Sequence, residues 1–80
     1  MSLVKSGTVI VGTTEIGGAY LGTVELEQTY DIVIPVLHDT TKGNAWYQTR
    51  VWNSNKSITF ASSTSGDSGI YHIYGVNLPK

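Results

Sequence analysis

Arg50 stands two residues before Trp52 and four after Trp46 in the stretch "NAWYQTRVWN". Side chains alternate along a strand, so an extended reading puts Trp46, Gln48, Arg50 and Trp52 on one face and Ala45, Tyr47, Thr49 and Val51 on the other. A guanidinium among indole rings can stack as a cation–π pair. Its planar fork of donors also suits vicinal hydroxyls, with a neighbouring ring covering the C–H face of a pyranose. Arg50, Trp46, Trp52 and Tyr47 are therefore the candidate ligand-binding residues. The same pattern fits a subunit interface, where the Arg stem packs on Trp and its head pairs with a neighbour's carboxylate. Both faces carry large groups, and a chain of 80 residues has little material for covering both.

The remaining chemistry-bearing residues are scattered. "GDSG", Gly66 to Gly69, resembles the nucleophile segment of trypsin-like proteases, but that chemistry needs a His base and a buried Asp on a far larger double barrel. The segment reads as a flexible turn. "GTTEIGG" is no phosphate cradle, because no Gly-Lys-Ser/Thr follows it and no helix begins there. His38 and His72 are the only histidines, neither with a second His or Cys at ligand spacing, and Cys is absent. His38, beside Asp39, is expected in solvent, and His72 as a hydrogen-bonded core or interface residue. "NKS", Asn55 to Ser57, matches an N-glycosylation sequon, which matters only in a secreted eukaryotic chain. No carboxylates pair for acid–base work. The expectation is a protein that is not an enzyme, with no metal and no cofactor.

The elements that position these residues are strands. Val and Ile outnumber Leu by 15 to 5, Ser and Thr supply another 18 residues, and no segment shows a 3.6-residue period, so the chain reads as all-β. A first strand is expected over Thr8 to Val11, with "GTTEIGG" as a glycine-rich loop after it. The second, Ala19 to Glu27, sets Tyr20, Val24 and Leu26 against Thr23, Glu25 and Glu27. The third, Tyr30 to His38, sets Ile32, Ile34 and Val36 against Val33, Pro35 and Leu37, and Pro35 confines it to an edge or a bulge. "NAWYQTRVWN" is the fourth, joined through the tight turn "NSNK" to a fifth, "SITFAS", as a hairpin. In the sixth, Ile70, His72, Tyr74 and Val76 oppose Tyr71, Ile73 and Gly75. Strands three, four and six lack a polar face, as if a sandwich covered one side and another subunit the other. Val33 and Ile73 are candidates for the partner-facing side.

Length and charge bound the possibilities further. One domain, residues 1 to 80, is expected, and a chain this short buries only about 60–65% of its unfolded surface. Without disulfides or a ligand cluster, oligomerisation is the natural supplement. Five Lys and Arg against six Asp and Glu, scattered singly, offer no basic stripe for nucleic acid. No apolar run is long enough to span a membrane. "MSL" can be an expression leader, so Met1 to Leu3 carry no weight.

From residue 20 onward the order of features resembles the H-type lectin-like domain found on phage tail fibres and in invertebrate lectins. The residues that carry the resemblance are "YDIVIPVLHDT", "YQTRVWNSNKSITFAS" and the closing "GIYHIYGV". The resemblance implies a small six-stranded antiparallel β-sandwich that forms a homotrimer, and places Arg50 where sugar-binding members hold an Arg near an inter-subunit site. Those lectins also carry a Trp-His pair in the loop before the last strand, which Ser62 to Gly69 lacks. The implied role is a phage tail-fibre or receptor-binding tip domain of the virion that binds host-surface glycan. The alternative is a purely structural virion protein, a capsid-decoration or baseplate subunit that binds other virion proteins.

Overall fold

The described residues form six antiparallel strands and no helix, in two three-stranded sheets. The computed structural model describes residues 1–42 and 46–79, and of Tyr47 and Gln48 the backbone alone. Asn44 and Ala45, which open the expected fourth strand, therefore lie outside the described residues. The strands are β1 (Ser2–Ile10), β2 (Tyr20–Glu25), β3 (Ile32–His38), β4 (Trp46–Trp52), β5 (Ser57–Ser62) and β6 (Ser68–Val76). One sheet runs β1-β6-β3 and the other β2-β5-β4. Among the described residues no helix is long and apolar enough to cross a membrane.

The core lies between the sheets, where period-two alternation predicts it. Val9, Tyr71 and Ile73 from one sheet meet Val24, Ile58 and Phe60 from the other, with Leu26 beyond the end of β2. Phe60 and Tyr71 face each other across the sandwich at a centroid separation of 6.1 Å and a tilt of 35°, the inclined geometry aromatic pairs favour. Gly75 is buried because the Tyr30 ring packs over it; a β-carbon there would come within 2.9 Å of that ring. Val33 and Leu37 of β3 pack against this core, while Ile32, Ile34 and Val36 are exposed on the outer side of the sheet. β3 is an edge strand, as Pro35 requires.

Three expectations need correction. The first strand begins at Ser2, not Thr8: Ser2 and Leu3 pair with Gly75 and Tyr74, so the opening residues belong to the sheet. Their side chains are exposed, and an edge strand held by its backbone shows no alternation to read. Val33 and Ile73 face the sandwich interior and not a partner; Ile73 is fully buried. "GDSG" is a turn at Gly66, with φ of +69°, but Asp67 beside it is fully buried and tethered.

The turns follow their residue types. Gly17 and Gly18 both have positive φ, 61° and 86°, between the bridged Ile16 and Ala19, the signs of a type I′ turn. The β4–β5 turn runs through Asn53, Ser54 and Asn55, all near φ of +55° to +61°, a conformation Asn tolerates better than most residues. The Lys56 amide closes it on the Trp52 carbonyl at 3.1 Å. Asn55 then reaches the other sheet, its Nδ2 donating to the Tyr30 carbonyl at 2.9 Å.

At the opposite end of the sandwich, Asp67 gathers the loops. Its Oδ1 accepts from the Lys42 and Ser68 amides, both at 2.8 Å, and its Oδ2 from Ser62 Oγ at 3.2 Å. Thr41 Oγ1 adds a longer contact of 3.3 Å. Its backbone carbonyl accepts from Val11 N at 2.9 Å. Burial by itself raises the carboxyl pKa, but the donors from Lys42, Ser68, Ser62 and Thr41 outweigh it and hold the group below its ordinary value of 3.8. A lowered folded-state pKa means that Asp67 stabilises the fold above the unfolded-state value and loses that contribution as pH falls through the folded-state value.

Two measurements check this architecture. Asp67→Asn should lower the melting temperature at neutral pH, because a neutral amide oxygen accepts the Lys42 and Ser68 amides more weakly than a carboxylate and an NH2 replaces the oxygen that accepts from Ser62 Oγ, and should flatten the decline in stability below about pH 4 seen in the parent. An unchanged acid profile would contradict the assignment. Ile73→Asp puts an unpaired charge into the core at a cost of several kcal/mol, so circular dichroism should report loss of the β-fold itself and not dissociation into folded subunits.

Candidate functional site

Arg50, Trp52, Thr23 and Thr59 come together on the outer face of the β2-β5-β4 sheet, and register explains how. Arg50 pairs with Thr59 and Thr59 with Thr23, while in the next row Trp52 pairs with Ser57 and Ser57 with Glu25. Residues two apart on a strand share a face. Outward-facing β2, β5 and β4 therefore present two rows of three, Thr23–Thr59–Arg50 and Glu25–Ser57–Trp52. Leu21 and Ala61 begin a third row beside them.

The rows are joined by side-chain hydrogen bonds. Trp52 Nε1 donates to Thr59 Oγ1 at 2.9 Å, and the Thr23 and Thr59 hydroxyls share a bond of 3.0 Å. Ser57 Oγ donates to Glu25 Oε2 at 2.7 Å. These bonds fix the indole against the sheet while leaving Trp52 42% exposed. The Arg50 guanidinium carbon lies 6.0 Å from the Trp52 ring centroid, a cation–π contact worth about 0.5–1 kcal/mol at an exposed site. Leu21, Thr23, Arg50, Trp52, Thr59 and Ala61 line one shallow concavity of ≈ 480 Å³.

Trp46 does not join them. A register shift between Trp46 and Gln48 inserts an extra residue opposite β5, and such a bulge reverses the alternation beyond it. Trp46 is half-buried and packs against the core, opposite Ser62, whereas Arg50 and Trp52 stay outside. Simple alternation placed all three on one face, and one inserted residue undoes that. Among the described residues the buried Trp46 Nε1 has no acceptor. The Tyr47 side chain lies outside the described residues. Thr23 and Thr59 were not legible as site residues, since cross-strand register alone brings them to Arg50.

A second concavity, ≈ 510 Å³, opens at the sandwich end between Val4, Lys5, Leu26, Glu27, Gln28 and Tyr30. Two of its polar side chains are already engaged: Lys5 Nζ donates to the Glu25 carbonyl at 2.8 Å and Gln28 Nε2 to Tyr30 Oη at 2.8 Å. It offers a ligand less than the Arg50 face does.

The two histidines, neither with a His or Cys at ligand spacing in the sequence, are in contact. His38 and His72 occupy neighbouring strands, with Nε2 atoms 2.9 Å apart and ring planes within 4°. At that separation one nitrogen donates and the other accepts. His38 Nδ1 lies 3.4 Å from Asp39 Oδ2, and His38 is exposed to solvent. Among the described residues no group of three or more His, Asp or Glu is placed to hold a metal ion. Ser68 Oγ of "GDSG" bonds to Thr41 Oγ1 at 2.9 Å, not to a histidine base.

No family model, curated protein or solved structure matches the chain. The site is thus characterised by its own geometry: an exposed indole held by a threonine, a guanidinium beside it, and a hydroxyl pair on the floor.

Since no ligand set of three converges among the described residues, stability should be independent of divalent ions. The melting temperature should be the same with and without EDTA; a fall of several degrees would point to a metal held through His38 and His72.

Proposed function

We propose that the chain is an adhesive β-sandwich of a virion, a tail-fibre or receptor-binding tip domain that assembles as a homotrimer and binds host-surface glycan. The observation that carries the binding role is the Arg50–Trp52–Thr59 concavity. Its ring is exposed yet immobilised, which supplies contact area at low entropic cost. Its donors stand beside the ring, as recognition of a pyranose requires. The placement on a virion and the number of three copies come from the resemblance to the H-type lectin-like fold.

Self-association is supported by the other outer face. Ile32, Ile34 and Val36 of β3 are 39%, 45% and 42% exposed and pair with Val76, Tyr74 and His72 of β6. No Lys, Arg, Asp or Glu lies among these six, and a contiguous apolar patch on a small domain marks an interaction surface. The structural alternative, a capsid-decoration or baseplate subunit, draws on the same face and on the inward position of Trp46, which leaves one tryptophan and not two for a ligand.

Sedimentation at micromolar concentration should give three times the 8.7 kDa chain mass; a clean monomer would overturn the assembly. Ile34→Asp should yield a folded monomer, since an unpaired charge in a covered apolar face costs several kcal/mol. Arg50→Ala should abolish binding to host cells or to a glycan array with the trimer intact. Dissociation of the trimer by Arg50→Ala would make Arg50 an interface residue and favour the structural role.

A further inference from the structure

We infer that the Arg50 site takes an acidic saccharide, a pyranose bearing a carboxylate, in preference to a neutral one; the inference rests on the glycan-binding reading above. The argument starts from charge. The chain has six Asp and Glu, and every one of them is among the described residues. None makes an ion pair with Arg50; the one pair between described side chains joins His38 and Asp39.

Most of the six are engaged elsewhere. Asp67 is enclosed by its loop donors, Asp31 Oδ2 accepts the Leu78 amide at 2.7 Å, and Asp39 stands beside His38. Glu25 is the one carboxylate of the same outward grid. It is bonded to Ser57 and sits on β2, two strands from Arg50, about 10 Å across the sheet. Arg50 is exposed, and among the described side chains it is the Trp52 ring that its guanidinium faces.

Hydrogen-bonding capacity points the same way. The Trp52 N–H is spent on Thr59, and one of the two threonine hydroxyl protons is spent between Thr23 and Thr59. Among the described side chains one hydroxyl proton and the guanidinium fork remain, so their surplus on this floor is of donors. A carboxylate supplies two acceptors in the plane the fork matches and compensates the charge as a neutral hydroxyl does not. The Trp52 ring, adjacent to Arg50 on β4, is then placed to cover the apolar face of the ring that bears the carboxylate.

The test titrates the labelled protein, followed by NMR, with methyl glucuronide, methyl galacturonide and a sialoside against methyl glucoside and methyl galactoside. At least one acidic sugar should bind about tenfold more tightly than its neutral counterparts, or about 1.4 kcal/mol. That preference should shrink with added salt. Arg50→Gln should remove it without altering the amide spectrum elsewhere, and Trp52→Ala should weaken acidic and neutral sugars alike. Equal binding of acidic and neutral sugars, or a preference that survives Arg50→Gln, overturns the acidic class and leaves the glycan reading standing. No binding by any of the five sugars overturns the glycan reading itself.

Discussion

A single buried carboxylate holds one end of this sandwich together. Asp67 receives hydrogen from the β3–β4 loop through the Lys42 amide, from the end of β5 through Ser62, and from the start of β6 through its neighbour Ser68. Its carbonyl receives the amide of Val11 just beyond β1. Four chain segments from both sheets thus converge on one residue. A buried anion is costly unless each of its lone pairs is met. Here amides and hydroxyls meet it with no cation, so the interaction depends on the loops' positions and not on a flexible side chain. A small domain without disulfides obtains in this way a cross-tie that its modest core cannot supply.

The opposite end is fastened differently. Asn55, in the left-handed turn between β4 and β5, donates to the carbonyls of Tyr30 and Asp31 ahead of β3. Tyr30 in turn packs its ring over Gly75. The turn that bears Trp52 at its entry is therefore anchored to the other sheet, and with it the ring of the candidate site. Positioning of Trp52 depends on a bond to Thr59 within its own sheet and on this tie to the neighbouring one.

The all-β class, six strands, the β4–β5 hairpin and the edge position of Pro35 were legible in the sequence, because alternation, β-branched content and turn residues act locally and agree with one another. The core face of β2 was legible for the same reason. Trp46 was misplaced because a bulge is a property of pairing with β5, and nothing in "NAWYQTRVWN" records it. Asp67 was read as part of a flexible turn, since the partners of its carboxylate lie up to 26 residues away in sequence. The contact between His38 and His72 was hidden likewise, being set by the register of β3 on β6. Val33 and Ile73 were recognised as apolar on two-sided strands, but which side met the core required the partner strands.

The pairing of Ser2 with Gly75 also orders events during synthesis. The β4–β5 hairpin joins neighbours in the chain and is complete as soon as β5 is made. β1 leaves the ribosome before any other strand, yet its partner β6 is the last of the six to be made. For that interval the segment Ser2 to Ile10 has no sheet to join, with Val4 and Val9 unburied. A fold whose first strand pairs with its last is slow to nucleate, because nearly the whole chain must close into a loop before the pairing returns any stability. The sheet that carries the apolar β3–β6 face is thus the last of the two to be completed, and that face does not exist until β6 has been made.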